Sequence, residues 1–239
     1  MASPRHFNDP FDCSLSFKLS QLSEIEISSL SSYYLQSGVT ENSKLIFNQY
    51  GNEDLKLLYQ NAAKDTLNKV NEKFLDSYGV CCFSETNDDL LMWGHYSEAF
   101  KGFCLEFRTD YEPFKKLHKV TYSDSLPTIN TYELMINENH PFVKDLYCTK
   151  SAKWRYEKEW RILHDKAGTL FNYEIECLKA IYFGPKIDFA LFEILCLILI
   201  GQNPKVELWK GKLSDNEFKI EFEKVNYTPY VIAKSLGLK

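Results

Sequence analysis

An α+β fold is what this sequence predicts, as a single domain over residues 1–239. Its sheet is expected to be mostly antiparallel or split, with a helical segment near the N-terminus. Three observations predict it. Residues 20–77 carry apolar residues at helical spacing. Near residue 78 that period gives way to strand-like runs. In the second half the strand-like runs outnumber what a simple strand–helix alternation would supply. A chain of 239 residues is long enough for one large domain or two small ones.

Residues 1–19 read as irregular, and FNDPFD at 7–12 has turn chemistry: Asn8 and Asp9 can bond their own backbone, and Pro10 fixes φ. Residues 20–35 read as a helix, with Ser23 as cap and Glu26 in capping-box position. The clearest helix is 53–77, where Leu55, Leu58, Tyr59, Ala62, Thr66, Lys69, Val70 and Phe74 trace a mostly apolar stripe. Together 20–77 form an insertion or cap. YGVCCFS (78–84) is a continuous apolar run, predicting a buried strand. Asn87 is the expected cap of a short helix over 90–98, with Asp88 and Asp89 placed for its dipole. GFCLEFR (102–108) alternates, putting Phe103, Leu105 and Phe107 on one face and Cys104, Glu106 and Arg108 on the other. Further strands are expected at 117–122, 159–164, 171–176, 178–184, 205–210 and 217–224. Helices are expected at 131–149, bent at Pro141, and at 188–200.

Composition narrows the setting. Hydrophobic residues are 44% and charged residues 26%, the balance of a folded protein. A net charge of −5 argues against a broad nucleic-acid or anionic-membrane surface, leaving room only for a local basic pocket. The seven cysteines show no C-x-x-C, so a reducing cytoplasm is expected, with Cys81, Cys82, Cys104 and Cys177 as small buried hydrophobes. The polar opening MASPRHFNDPFD has no signal-peptide core. The most apolar run, FALFEILCLILI (189–200), is too short to span a bilayer and contains Glu193, so it reads as a core helix and no membrane partner is expected.

Two stretches carry the chemistry-bearing residues. In TNDDLLMWGHYSEAFKGFCLEF (86–107), His95, Tyr96 and Glu106 are not explained by packing alone. His95 and Glu98, three apart, could offer two metal ligands, but no third is evident. Glu106 would lie on an outer face or line a cleft beside Arg108. In KSAKWRYEKEWRIL (150–163), a strand would place Glu157, Glu159 and Arg161 on one face, and Lys158, Trp160 and Ile162 on the other. Arg161 could neutralise one carboxylate and hold it for chemistry. The plainer reading is a solvated face with a surface ion pair. Asn8, Asp9 and Asp12 could hold a ligand, or simply close a turn. No Gly-rich phosphate loop, G-x-S-x-G elbow or H-E-x-x-H motif occurs.

Read together, FNDPFD, LLMWGHYSEAFKGFCLEF and KWRYEKEWRI resemble a widespread prokaryotic family known as domain of unknown function 2971, with weaker similarity through KAIYFGPKI (179–187). The family name carries no activity. The resemblance implies a strand and helix ahead of FNDPFD, whereas only six residues precede Phe7 here. The expectation is therefore a missing strand and an unpaired neighbouring edge. A second, weaker similarity, in the order of the motifs, is to ADP-ribosyltransferases. It implies NAD as co-substrate, Glu159 as catalytic carboxylate, Glu157 as the residue orienting the acceptor, and His95 or Tyr96 near the nicotinamide. Arg161, Glu106, Asn8 and Asp9 are then candidates for holding the dinucleotide. The acceptor, protein or nucleic acid, is not specified, and a toxin or phage-defence effector is the implied setting. Two other classes stand beside this one. One is a metal-dependent nuclease, with Asp9, Asp12, Glu106 and Glu157 around Mg²⁺ and Lys158 as its basic member. The other is a binding or regulatory domain in which both stretches are scaffold.

Overall fold

The computed structural model of the chain describes residues 1–13, 17–37, 49–137 and 143–237. Its strands are β1 (Lys18–Leu19), β2 (Gly79–Ser84), β3 (Phe103–Phe107), β4 (His118–Lys119), β5 (Thr121–Ser123), β6 (Thr128–Ile129), β7 (Thr149–Ser151), β8 (Glu159–His164), β9 (Leu178–Phe183), β10 (Glu207–Leu213) and β11 (Ile220–Lys224). Its helices are α1 (Glu24–Gln36), α2 (Asn52–Ser77), α3 (Leu90–Tyr96), α4 (Thr131–Ile136), α5 (Val143–Tyr147), α6 (Phe189–Gln202) and α7 (Tyr230–Ser235). The fold class is α+β with mixed sheets. Two compact units emerge. The first comprises Met1–Cys81, Val120–Lys153 and Leu163–Thr169. The second comprises Cys82–Lys119, Trp154–Ile162 and Leu170–Lys239.

The first unit is built on α2. α1 starts where its capping box demands: the Ser23 hydroxyl accepts from the Glu26 amide, and the Glu26 carboxylate accepts from the Ser23 amide at 2.8 Å. α2 buries Leu55, Tyr59, Ala63, Leu67 and Phe74. This face is turned by about one residue from the expected stripe, leaving Leu58 and Lys69 exposed. What packs against the helix decides the turn. Leu22, Ile27 and Leu30 meet Leu55 and Tyr59, Ile129 and Leu134 meet Ala63 and Leu67, and Val80 and Tyr147 meet Phe74. The helix expected over 131–149 is present as α4 and α5, while the bend at Pro141 lies outside the described residues. Two short parallel pairs, β1–β6 and β5–β7, complete the unit. The edge expected to be unpaired is met at Val80 by an antiparallel bridge from Ala2, with N–O distances of 2.8 and 3.1 Å.

The second unit carries a four-stranded sheet ordered β11-β10-β9-β3, antiparallel except between β9 and β10. One face is closed by α6: Phe192 and Cys196 pack on Ile181, Phe183 and Leu208. Each large side chain so buried stabilises by about 1.5–3 kcal/mol. Asp188 caps α6, accepting from the amides of Ala190 and Leu191. Residues 82–84 of β2 and 159–162 of β8 also belong here with β4, neighbours in a sheet ordered β2-β8-β4. The strand expected over 117–122 is broken at Val120, with β4 in this unit and β5 in the other. No strand forms at 171–176. Tyr173 is held by its ring against Phe107 and Phe114, and a 3-10 turn, Ile175–Cys177, follows. α6 is not the core helix expected, since its outer side is exposed. Among the described residues no helix is long and apolar enough to cross a membrane.

Candidate functional site

α3 is short and firmly anchored. Its cap is Asp89, whose carboxylate accepts from the amides of Leu91 and Met92. Asn87, the expected cap, instead offers its carbonyl to the Trp93 indole at 2.7 Å. Trp93 is buried and packs near Phe222. Three consecutive non-glycine residues after the helix are left-handed: Glu98 (φ 49°), Ala99 (φ 54°) and Phe100 (φ 73°). Such residues cost about 1–3 kcal/mol each and persist only where their surroundings dictate them. Here the surroundings do. The Ser97 carbonyl accepts from the amides of Lys101 and Gly102, and the Phe100 carbonyl accepts from Lys186. Phe100 also presses so closely on Gly184 that a Cβ there would lie 2.2 Å from its oxygen. Glu98 therefore leaves the helix face it was expected to share with His95.

KWRYEKEWRI does not form one continuous strand. Ala152–Glu157 is a 3-10 helix, Lys158 is left-handed (φ 45°), and β8 begins at Glu159. Glu157 and Glu159 thus sit in different local structures. Both are buried, contrary to the solvated face and surface ion pair of the plainer reading. Arg161, fully buried, grips Glu159 with two bonds, Nε to Oε1 at 2.7 Å and Nη2 to Oε2 at 3.0 Å. Such a fork holds a carboxylate rigidly and occupies both its oxygens. On the opposite side of β8, the Trp160 indole and Lys119 ammonium donate to Glu85 at 2.7 and 2.8 Å. These bonds, Lys119's foremost, hold the Glu85 carboxyl below its usual range.

Glu157 has a different partner. Its Oε1 accepts from the Tyr96 hydroxyl at 2.7 Å. Glu157 is 2% exposed and Tyr96 53% exposed, so the pair runs from the interior to the surface. Around it stand aromatic rings: His95 lies 6.3 Å from Tyr96 and 6.4 Å from Trp154, and Trp154 lies 6.0 Å from Tyr156. A buried carboxylate reached through a phenol, beside stacking rings, can take a hydroxyl-bearing ring system and present negative charge to it.

The structure thus brings together His95, Tyr96 and Glu157, with Glu159 and Arg161 as a sealed pair two residues along. Trp154 and Tyr156 join them, although sequence reasoning missed both; the aromatic alternation W-x-Y ahead of Glu157 was their signal. The other candidates have separate duties. Glu106 accepts from Lys179 at 2.6 Å and from Tyr182 at 2.7 Å on the four-stranded sheet. In the first unit Asp9 closes its turn by accepting from the Phe11 amide, Asn8 is exposed, and Asp12 pairs with Lys150 at 3.2 Å. Among the described residues no three His, Cys, Asp or Glu side chains gather as metal ligands. Cys177 is buried as expected, Cys81 and Cys104 are half-buried, and Cys82 is exposed. Burial, then Glu106, pushes the Cys104 thiol up to about 11. An open groove of about 690 Å³ along α1, lined by Glu24, Ser28, Ser32 and Tyr33, includes none of the candidate residues.

No curated protein and no solved structure matches the chain. Residues 92–162, running from the middle of α3 through Glu157, Glu159 and Arg161, match the model of a family described as protein of unknown function (DUF2971), and it is this family that the chain resembles.

Proposed function

We propose that this chain is an NAD-consuming, ADP-ribosyltransferase-like enzyme in which the Tyr96–Glu157 pair meets the nicotinamide ribose. The observation that carries the reading is the buried Glu157 carboxylate bonded at 2.7 Å to the hydroxyl of Tyr96, a residue that is itself half-exposed, beside the His95 and Trp154 rings. The rings offer faces on which a nicotinamide or adenine can stack. The reaction breaks the bond between the ribose anomeric carbon and the nicotinamide nitrogen. The bonding pair leaves with neutral nicotinamide, and positive charge builds on the ribose. A fixed carboxylate stabilises that charge more in the transition state than in the ground state. A lone pair of the acceptor then bonds to the anomeric carbon, and the acceptor's proton passes to Glu157 or to water. The motif-order resemblance gave this role to Glu159. Its pairing with Arg161 favours Glu157 for chemistry and Glu159 as the anchor beneath it. The acceptor is a nucleophilic group on a protein or nucleic acid, and depletion of NAD fits a toxin or phage-defence effector.

The test is nicotinamide release, followed by chromatography, with NAD and a mixture of protein and nucleic-acid acceptors. The wild-type chain is expected to release nicotinamide. Glu157→Gln, which keeps an oxygen for Tyr96, should lose roughly 10²–10³-fold in rate while melting normally. Absence of release, or release unaffected by Glu157→Gln, refutes the proposal. A second reading has its own support: both carboxylates already have partners and are almost fully buried, which suits holding a ligand better than transforming it. NAD-dependent quenching of Trp154 fluorescence without release would select a nucleotide-binding module. The nuclease reading lacks a carboxylate cluster among the described residues.

A further inference from the structure

α6 is apolar nearly all round, and the sheet uses only one side of it. Phe192 and Cys196 face inward, with Leu195, Leu199 and Ile200 at the margins. On the outer side Leu191, Ile194, Leu197 and Ile198 are between 41% and 53% exposed, and Ala190 and Gly201 are exposed as well. The helix holds one charged residue, Glu193, which accepts from the Tyr227 hydroxyl at 2.8 Å. Glu193 stands at the edge of the outer side, bonded to Tyr227, and the seam itself carries no charge. Phe189 extends the outer side at the N-terminal end. Together these side chains make an apolar strip of the kind that often marks an interaction site.

The spacing of this face says what fits it. Ala190, Ile194, Leu197 and Gly201 recur at intervals of four, three and four, the seam spacing of paired helices. Leu191 and Ile198 flank the seam on one side, and Glu193 and Ile200 on the other. Its order is small, large, large, small, which reads the same from either end. Turned end over end, Ala190 meets Gly201 and Ile194 meets Leu197, so the seam complements itself about a two-fold axis. The small residues let the helix ends approach, and opposed helix dipoles favour the arrangement. A Cβ on Gly201 would meet nothing within 4 Å, so the chain's own packing does not require glycine there.

We propose that this face docks on the same face of a second copy, α6 against α6 in antiparallel, with the two-fold axis between Ile194 and Leu197. A stable interface covers about 800 Å² per partner with an apolar centre and a polar rim. The seam supplies that centre. The absence of basic residues on the helix and the net charge of −5 argue against an anionic membrane as occupant.

Sedimentation velocity on the full chain, over a hundredfold range of concentration, tests this. The wild type is expected to sediment as a dimer. Ile194→Lys and Gly201→Lys should each weaken it roughly 100-fold, the size of an interface hot spot, with unchanged melting curves. Phe218→Lys, at a fully exposed site in the β10–β11 turn, should leave the dimer intact. Because Gly201→Lys points into open space, loss of the dimer in that variant cannot be ascribed to misfolding. A wild type that stays monomeric throughout, or a dimer that survives both seam variants, overturns the proposal. So does a monomer that floats with zwitterionic vesicles and loses that property in Ile194→Lys, which would assign the face to lipid.

Discussion

Glu157 and Glu159 stand two residues apart and have different surroundings. Glu159 lies on a strand, with both oxygens held by a fully buried guanidinium. Glu157 ends a 3-10 helix, and an oxygen of it is held by a phenol that reaches solvent. The left-handed residue between them makes the difference, because it takes Glu157 out of the strand. One carboxylate is thereby held within the strand and the other at a half-exposed phenol. A motif of two acids with one residue between them does not say which is which; the backbone conformation of the middle residue does.

The comparison can be broken most forcefully at Glu159. Glu159→Gln removes the carboxylate charge that Arg161 grips inside the fold, and should cost about 3–5 kcal/mol in a denaturant titration. Replacing both residues together with apolar ones should restore most of that loss. If the single variant is as stable as wild type, the two acids do not differ as described. Tyr96→Phe comes next. It removes a single hydrogen bond to the buried Glu157 carboxylate and leaves its charge in place, so a smaller loss, about 1.5–3 kcal/mol, is expected with a much larger loss of nicotinamide release. The smallest effect belongs to Glu85, outside both environments. Its folded-state carboxyl is held low, so its contribution is complete above the usual carboxylate range and is lost as pH falls through the lowered folded-state value. Melting temperatures of wild type and Glu85→Gln should differ slightly at neutral pH and converge in acid. A gap that widens in acid would contradict the bonding of Lys119 and Trp160 to Glu85.

Local signals were the legible ones. The capping box at Ser23 fixed the start of α1, and the change of period at residue 78 marked β2, because both depend on neighbours in the chain. β8 was legible from alternation alone. Other features depend on distant partners. The buried stripe of α2 was turned by the helices and strands that pack on it. The residues 171–176 alternate like a strand but are held by the Tyr173 ring. At the site, His95, Tyr96, Glu157, Glu159 and Arg161 stood out in the sequence, and the structure places them near one another. Their division into an open pair and a sealed pair was not legible there, since it rests on Lys158 adopting a conformation that lysine seldom takes.

The left-handed turn at residues 98–100 fixes when the site can exist. No glycine eases that turn, so α3 acquires its exit only once the chain around Gly184 and Lys186, more than eighty residues later, has come to rest against Phe100. Closing a loop of that length is slow compared with winding a helix. Tyr96 therefore takes its place late in folding, and a ribosome still making β9 carries a chain whose Glu157 has been synthesised but whose phenol is not yet held in position.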